Sequence, residues 1–223
     1  MASKEKQSAK RVLIVDDHPM MRQGLAQLID NEPDLKMCAE ADTAAQAMTV
    51  LAGAKVDLVL LDISLPDKNG LEVIKDIQEQ KAGVPILVVS MHDEALYAER
   101  VLRAGARGYI MKQEGGKRFL QAIRQVLTGQ IYVSEKMSAR ILEIFSGHRM
   151  EASSPIERLT DREFEVFHLI GQGRNTKDIA HHLRLSIKTV EAHRVNIKQK
   201  LNMKTATDLM RYAVRWAEVE AQR

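Results

Sequence analysis

Hydrophobic and polar positions follow two different periods along the first part of the chain. Short apolar runs bounded by turn residues are typical of strands buried on both faces of a parallel sheet. Longer stretches between them carry apolar residues at the spacing of amphipathic helices. The apolar runs are Arg11–Val15, Leu35–Ala39, Leu58–Ile63, Ile86–Ser90 and Tyr109–Met111. This alternation predicts an α/β domain over residues 11–129, a doubly wound parallel sheet with helices on both faces.

The strand pattern stops at Gly129, and only helical periodicity is found beyond it. Residues 134–145 are predicted to form one amphipathic helix inside a linker over residues 130–157. Residues 158–217 contain four helix-cap signals and no strand pattern, which predicts an all-α domain of four short helices. The helices are expected to begin at Thr160, at Asn175 or Thr176, at Ser186 and at Thr205. The second and third are separated by so few residues that they predict a helix-turn-helix.

The two predicted domains differ in charge. Residues 11–129 contain 14 Lys and Arg against 17 Asp and Glu, a balance of −3, whereas residues 157–217 contain 12 against 7, a balance of +5. The basic second domain is therefore the candidate for nucleic-acid binding. No apolar run reaches the length of a transmembrane helix, and the polar N-terminus lacks the core of a signal peptide. We therefore expect a cytoplasmic protein without membrane contact.

Polar side chains stand at the carboxyl ends of four predicted strands. Asp16 and Asp17 follow the first strand, and Asp62 lies at the end of the third. Ser90 ends the fourth strand, and Lys112 follows the fifth. Because the carboxyl ends of parallel strands lie at one edge of a sheet, where ligands bind, we expect these five side chains to converge.

A cluster of this composition predicts phosphoryl transfer. Three crowded carboxylates repel one another unless a cation joins them, and their hard oxygen ligands suit Mg²⁺. Lys112 would supply positive charge and Ser90 a hydrogen bond to phosphoryl oxygens. Asp62 would then be a carboxylate nucleophile that forms an acyl phosphate. The alternative for Asp62, taken alone, is a cap of the turn that follows it.

The third helix of the second domain is the candidate for insertion into the DNA major groove. Val190, Ile197 and Leu201 fall on one face, which we expect to pack on the domain. The opposite face, together with Lys177 on the preceding helix, is predicted to bind DNA. The predicted DNA-binding residues are Lys177, Lys188, Thr189, Glu191, Ala192, Arg194, Val195 and Lys198.

Different residue types in this set predict different contacts with DNA. Glu191 can accept a hydrogen bond from the amino group of cytosine, and Ala192 and Val195 can touch thymine methyl groups. The four basic residues can bind phosphates, which positions a protein without specifying a sequence. Two alternatives stay open: the basic residues can form a solvated helix face, and Glu191 can pair with Arg194.

Four motifs make residues 11–129 resemble the receiver domain of two-component response regulators. They are VDDH at Val15–His18, LLDISLPDKNG at Leu60–Gly70, VVS at Val88–Ser90 and GYIMK at Gly108–Lys112. The resemblance implies a flavodoxin-like sheet with strand order 2-1-3-4-5. It also implies that Asp62 is the phosphoacceptor. By the same resemblance Asp16 and Asp17 bind Mg²⁺ with Asp62, Ser90 and Lys112 contact the phosphoryl group, and Tyr109 is an aromatic switch residue.

Residues 159–217 resemble the LuxR/NarL/FixJ type of four-helix DNA-binding domain, through LTDREFEVFHLIGQGRNTKDIAHHLRLSIKTVEAHRVNIKQKL. The order of the two domains is that of the NarL/FixJ class of regulators. The resemblance implies a transcription factor, not an enzyme, that is phosphorylated by a sensor histidine kinase. Its expected partners are double-stranded promoter DNA, to which it binds as a homodimer, and RNA polymerase.

Two other functions compete with this interpretation. Haloacid-dehalogenase-like phosphatases also use an Asp nucleophile with Mg²⁺, but they need a second Asp two residues later, where this chain has Ser64. The third hypothesis is a regulator that works without phosphorylation, whose first domain serves only as a dimerisation or docking surface. The complete set of five polar residues at the strand ends argues against it.

Overall fold

A five-stranded parallel sheet with the order β2-β1-β3-β4-β5 forms the centre of the first of two units. The computed structural model describes residues 9–145, 155–183 and 185–221, and the units divide between Ile141 and Leu142. The strands are β1 (Lys10–Val15), β2 (Leu35–Ala41), β3 (Leu58–Leu61), β4 (Ile86–Ser90) and β5 (Gly108–Met111). The predicted flavodoxin-like strand order is confirmed, and β2 runs two residues further than its apolar pattern indicates.

Helices follow each strand of the sheet, as the alternating pattern predicts. They are α1 (Pro19–Asp30), α2 (Ala44–Gly53), α3 (Gly70–Gln80), α4 (Glu94–Ala104) and α5 (Gly116–Leu127), and α6 (Glu135–Phe145) comes after them. One core layer joins β1, β3 and β4 to α1 and α5, with Ile29 and Ile123 fully buried in it. All four residues of β3 are buried, because helices cover both faces of a parallel sheet.

The loop after β3 is held close to the strand by a glycine. The Gly70 N–H donates to the Ile63 carbonyl at 3.1 Å, and a Cβ on Gly70 would lie 2.3 Å from Ile63 Cα. No other residue fits without a shift of the backbone. Next to it, Asn69 caps α3 by accepting a hydrogen bond from the Leu71 N–H at 2.7 Å, which satisfies a free donor at the helix start.

The second unit consists of helices. A 3-10 turn (Pro155–Arg158) is followed by α7 (Asp161–Gly171), α8 (Thr176–His182), α9 (Ile187–Lys200) and α10 (Ala206–Ala221). Nine residues of the predicted linker, 146–154, lie outside the described residues. Phe164 and Phe167 pack on Trp216 with ring centroids 5.7 and 5.3 Å apart, which joins α7 to α10. No helix among the described residues is long and apolar enough to cross a membrane.

The helix starts of the second unit follow the predicted caps. Thr160 and Glu163 form a complete capping box at α7. Asn175, rather than Thr176, caps α8, since its side chain accepts from two backbone N–H groups. The Ser186 hydroxyl caps α9 through the Thr189 N–H, and Thr205 accepts from the Asp208 N–H at 3.1 Å.

Candidate functional site

The backbone hydrogen bonds of the sheet continue one residue beyond the strands and so place the candidate side chains. The Asp62 N–H donates to the Val15 carbonyl at 2.8 Å, and the Lys112 N–H donates to the Ser90 carbonyl at 2.7 Å. The side chains that the sequence places at the strand ends therefore meet at one edge of the sheet.

Lys112 lies between two buried carboxylates. Its Nζ atom is 2.6 Å from Asp16 Oδ2 and 2.7 Å from Asp62 Oδ2, and both aspartates are only 2% exposed. Burial raises the pKa of the Asp62 carboxyl, and the nearby Lys112 ammonium offsets this only in part. Burial disfavours the Lys112 ammonium, but Asp62 and Asp16 outweigh that effect and raise its pKa. One ammonium between two carboxylates leaves room for further positive charge.

The acidic edge is a candidate cation site. Asp16, Asp17, His18 and Asp62 each offer one ligand atom, and these atoms lie within 4.8 Å of one another. Among the described residues, Asp16 Oδ2 and Asp17 Oδ1 are buried oxygens without a well-aligned hydrogen bond, although Lys112 Nζ and His18 Nδ1 lie 2.6 and 2.8 Å away. Buried carboxylate oxygens that lack a well-aligned hydrogen bond are suited to bind a hard cation, which takes carboxylate and water ligands.

His18 also belongs to this site, although it is not among the predicted site residues. Its Nδ1 atom lies 3.0 Å from Asp16 Oδ1 and 3.9 Å from Asp62 Oδ2. Its position directly after the Asp pair was the available signal. The His18 backbone N–H also donates to Asp16 Oδ1 at 2.9 Å, so the backbone and the ring of His18 both contact this carboxylate.

Ser90 and Tyr109 lie behind the cluster and are fully buried. The Ser90 hydroxyl accepts a hydrogen bond from the His92 N–H at 3.1 Å. The Tyr109 hydroxyl donates to the His92 carbonyl at 2.7 Å, and burial raises the pKa of this phenol. Both predicted residues thus contact the same loop, the one that joins β4 to α4.

The β3–α3 loop contacts the site through Ser64 and contacts helix α2 through Asp67. The Ser64 N–H donates to Asp62 Oδ1 at 3.0 Å, and the Ser64 hydroxyl lies 3.1 Å from His92 Nε2. Asp67 reaches the start of α2, where its carboxylate accepts from the Ala44 and Ala45 N–H groups at 2.8 and 3.0 Å. The loop is therefore tied to α2 as well as to β3.

Helix α9 presents a polar face in the second unit. Val190 and Ile197 are fully buried, as predicted, whereas Leu201 is only half-buried. Most of the predicted DNA-binding residues are exposed, namely Lys177, Lys188, Thr189, Glu191, Ala192 and Val195. Asn196 and Gln199 share this exposed face. Neither residue is in the predicted DNA-binding set, although helical periodicity places both near Ala192.

Arg194 and Lys198 are half-buried rather than exposed. Arg194 donates from Nη1 to the Thr176 hydroxyl at 3.0 Å and so joins α9 to α8. Glu191 has no ion-pair partner within the described ranges, so the alternative of a pair with Arg194 is not formed. Arg194 is therefore placed to hold the two helices of the helix-turn-helix together.

Comparisons with known proteins agree with this geometry. Residues 12–124 match the response regulator receiver domain, and residues 157–213 match the bacterial regulatory proteins of the luxR family. The oxygen regulatory protein NreC of Staphylococcus haemolyticus is 33% identical over 210 residues, which cover 92% of this chain and 97% of that protein. The chain belongs to the NarL/LuxR-type response regulators.

Two solved structures of RcsB are similar to this response regulator. RcsB of Salmonella enterica serovar Typhimurium, bound to promoter rprA in the presence of phosphomimetic BeF₃⁻, is 24% identical with a TM-score of 0.63. The alignment covers 93% of this chain and 99% of that one, and it supports the fold. A structure of two RcsB dimers bound to two parallel DNAs is 25% identical, with a TM-score of 0.57 over 92% of this chain and 98% of that one.

The domain organisation of the family shows the general function of the chain. A receiver domain followed by a LuxR-type helix-turn-helix domain is the organisation of a DNA-binding two-component response regulator. The acidic pocket at the edge of the sheet is the feature by which receiver domains bind a divalent cation, and this chain has the required cluster of aspartates.

Proposed function

We propose that this response regulator is activated when a sensor histidine kinase transfers a phosphoryl group to Asp62. The main support is the position of the Lys112 ammonium in a buried pocket, where its Nζ atom lies 2.7 Å from Asp62 Oδ2 and 2.6 Å from Asp16 Oδ2. A carboxylate nucleophile is thereby held beside a fixed positive charge, where charge develops during phosphoryl transfer.

The transfer exchanges one bond to phosphorus for another. An oxygen of Asp62 attacks the phosphorus of a phosphohistidine, and the P–N bond breaks as the P–O bond of the acyl phosphate forms. The electron pair of the broken bond stays on the imidazole nitrogen, which takes a proton from water. Lys112 balances charge on the phosphoryl oxygens, and the Ser90 hydroxyl donates a hydrogen bond to them.

We assign Mg²⁺ to the acidic pocket, with Asp16, Asp17 and Asp62 as its ligands. The buried oxygens without aligned hydrogen bonds support this assignment. When bound, Mg²⁺ would neutralise part of the charge on the carboxylates and on the phosphoryl oxygens. We assign no turnover of small phosphate esters, because Ser64 offers a hydroxyl where the phosphatases have a carboxyl acid/base.

Phosphorylation of Asp62 would control transcription in the cytoplasm. We propose that phosphorylation pairs two copies of the chain, so that two helix-turn-helix modules bind adjacent half-sites of promoter DNA. A single small module buries roughly 600–1,000 Å² on DNA and reads few bases, and linking two modules raises affinity through effective concentration. The DNA-bound dimers in the RcsB structure support this arrangement. RNA polymerase is the expected partner of the DNA-bound dimer.

Incubation of the full-length protein with acetyl phosphate and MgCl₂ tests the assignment. Intact-mass spectrometry should find one added phosphoryl group, which hydroxylamine removes because it cleaves acyl phosphates. Asp57, at the other end of β3, provides the matched control, so Asp57→Asn should be labelled and Asp62→Asn should not. Equal labelling of the Asp62→Asn protein would show that another residue is the acceptor.

A further inference from the structure

The segment between α5 and α6, residues 131–134, is bound to three receiver elements. We call it the connecting segment. The Tyr109 N–H donates to the Tyr132 carbonyl at 2.9 Å, and the Tyr132 N–H donates to the Arg107 carbonyl at 3.0 Å, so the segment pairs with β5. Gln125 of α5 donates to the Ile131 carbonyl at 2.6 Å. The chain that leads from the receiver is therefore fixed along the edge strand.

Close packing at Gly108 adds to this pairing. A Cβ on Gly108 would lie 2.8 Å from the Tyr132 carbonyl oxygen and 2.9 Å from Leu87 Cδ1. Only glycine lets the connecting segment come this near to β5 without a shift. The observed pairing therefore requires a small residue at position 108.

The third attachment is to the first residue of α4. Glu94 Oε1 accepts a hydrogen bond from the Ser134 backbone N–H at 2.7 Å. Ser134 is in turn the cap of α6, because its hydroxyl accepts from the Met137 N–H at 3.1 Å and its carbonyl accepts from the Ser138 N–H at 2.8 Å. The cap residue that precedes helix α6 is consequently held by α4.

The attachment to β5 involves the predicted switch residue directly, and the attachment to α4 is linked to it through the loop that precedes α4. The backbone of Tyr109 holds Tyr132, while its hydroxyl holds the His92 carbonyl in the loop that precedes α4. Ser90, in the phosphoryl site, binds the same loop through the His92 N–H. A displacement of this loop would therefore act on Glu94 and on Tyr109, the two residues that hold the start of α6.

We propose that Glu94 is a positioning residue that couples the state of the Asp62 site to helix α6 by holding the Ser134 N–H on α4. This role rests on the proposed function, since it needs a phosphorylation-dependent change in DNA binding. The contact is exposed to solvent, so it contributes modestly to stability and can be broken without unfolding the receiver. Because the contact is weak, a small bias from the Asp62 site can shift the fraction of molecules in which it is formed.

Three full-length variants separate this role from a structural one. Glu94→Ala removes the acceptor, whereas Glu94→Gln removes the charge and keeps a carbonyl oxygen for Ser134. Glu72→Ala is the matched control, since Glu72 lies in the first turn of α3 just as Glu94 does in α4. Phosphorylation is measured by intact mass, and amide exchange is followed in peptides that cover residues 131–138. DNA affinity is measured on a labelled duplex selected by the wild-type protein from a random pool.

We expect Glu94→Ala to exchange faster in residues 131–138 without phosphate. Its gain in DNA affinity on phosphorylation should be about 2- to 10-fold smaller than that of the wild type, the range for one hydrogen bond. Glu94→Gln and Glu72→Ala should keep the wild-type gain. If Glu94→Ala kept the wild-type gain in DNA affinity, or if Glu94→Gln lost as much of that gain as Glu94→Ala, the coupling role of Glu94 would be wrong. The proposed function would not be affected by either result. If the phosphorylated wild type gained no affinity, the proposed function would fail and the coupling with it.

Discussion

Lys112 and Asp62 are 50 residues apart in the chain, yet their side chains form a buried ion pair with an Nζ–Oδ2 distance of 2.7 Å. The pair exists because β3 and β5 flank β4 in one parallel sheet and end at the same edge. Its neighbour Asp16 makes a second contact with the same ammonium. The whole candidate site is therefore sensitive to the loss of this one positive charge.

Lys112→Ala should destabilise the receiver, because two buried carboxylates would lose their only ammonium partner among the described residues. Removal of one partner of a buried pair costs about 3–5 kcal/mol, and MgCl₂ should restore part of this loss. Urea unfolding, monitored by far-UV circular dichroism, measures the free energy of unfolding. Arg103→Ala, which breaks an exposed pair with Glu99, should cost under about 1 kcal/mol. Equal effects of the two variants would mean that the Lys112 contacts are as weak as surface ones.

Gly70→Ala should disturb the loop that follows Asp62. The new methyl group would lie 2.3 Å from a backbone atom of Ile63, so the loop must move at a cost of about 1–3 kcal/mol. Gly24→Ala is the control, since nothing lies within 4 Å of a Cβ there and alanine favours the helix. The rate of labelling by acetyl phosphate should fall in Gly70→Ala only. A wild-type rate and stability in that variant would contradict the tight packing at Ile63.

Glu163 gives the second unit a sensitivity to acid. Burial alone would raise the pKa of its carboxyl, but the hydrogen bonds from Lys200 and from the cap at Thr160 hold it below the usual 4.5. A carboxyl with a lower pKa in the folded state stabilises the fold above its unfolded pKa, and this contribution is lost as the pH falls through the folded pKa. Stability should therefore decrease as the pH is lowered below 4.5.

Trp216 reports this loss specifically, because it is the single tryptophan of the chain and packs on Phe164 and Phe167. Urea midpoints from its fluorescence should fall with acid in the wild type and change less in Glu163→Gln. Exposed Glu218 provides the control variant Glu218→Gln, which should follow the wild type. If Glu163→Gln kept the full acid dependence, other carboxyls would be responsible for it.

Two substitutions on α9 should affect DNA binding in different ways. Lys188→Ala should weaken binding to all duplexes. It should also reduce the slope of log affinity against log salt concentration by about one, as expected for one lost phosphate contact. Glu191→Ala should change which base pairs are tolerated. Affinities for a panel of duplexes at several salt concentrations distinguish the two, with Lys36→Ala in β2 as control. Unchanged base preference in Glu191→Ala would exclude direct readout by that residue.

The sequence predicts this fold well where the determinants are local or periodic. Apolar runs predict every strand among the described residues, and hydroxyl caps such as Thr160, Ser186 and Thr205 predict helix starts, because both signals depend on neighbours within a few residues. The sequence leaves the choice between Asn175 and Thr176 open, since both residue types are common helix caps.

Contacts that depend on the path of a loop could not be predicted in this way. The approach of Asp67 to α2, the contact of Arg194 with Thr176 and the attachment of Ser134 to Glu94 join residues 18 to 40 positions apart. No local pattern encodes them, because each requires a loop geometry that the whole domain determines. The roles of the five strand-end residues and the domain boundaries at 129 and 158 stay predictions.

The most direct test compares DNA affinity with and without phosphorylation of Asp62. Full-length wild type and Asp62→Asn are treated with acetyl phosphate and MgCl₂, and binding to a selected duplex is measured together with sedimentation velocity. Phosphorylation should tighten binding of the wild type about 5- to 150-fold, the usual range of allosteric coupling, and should produce dimers, while Asp62→Asn stays unchanged. Equal affinity of the treated and untreated wild type, or equal tightening of Asp62→Asn, would contradict control of DNA binding through Asp62.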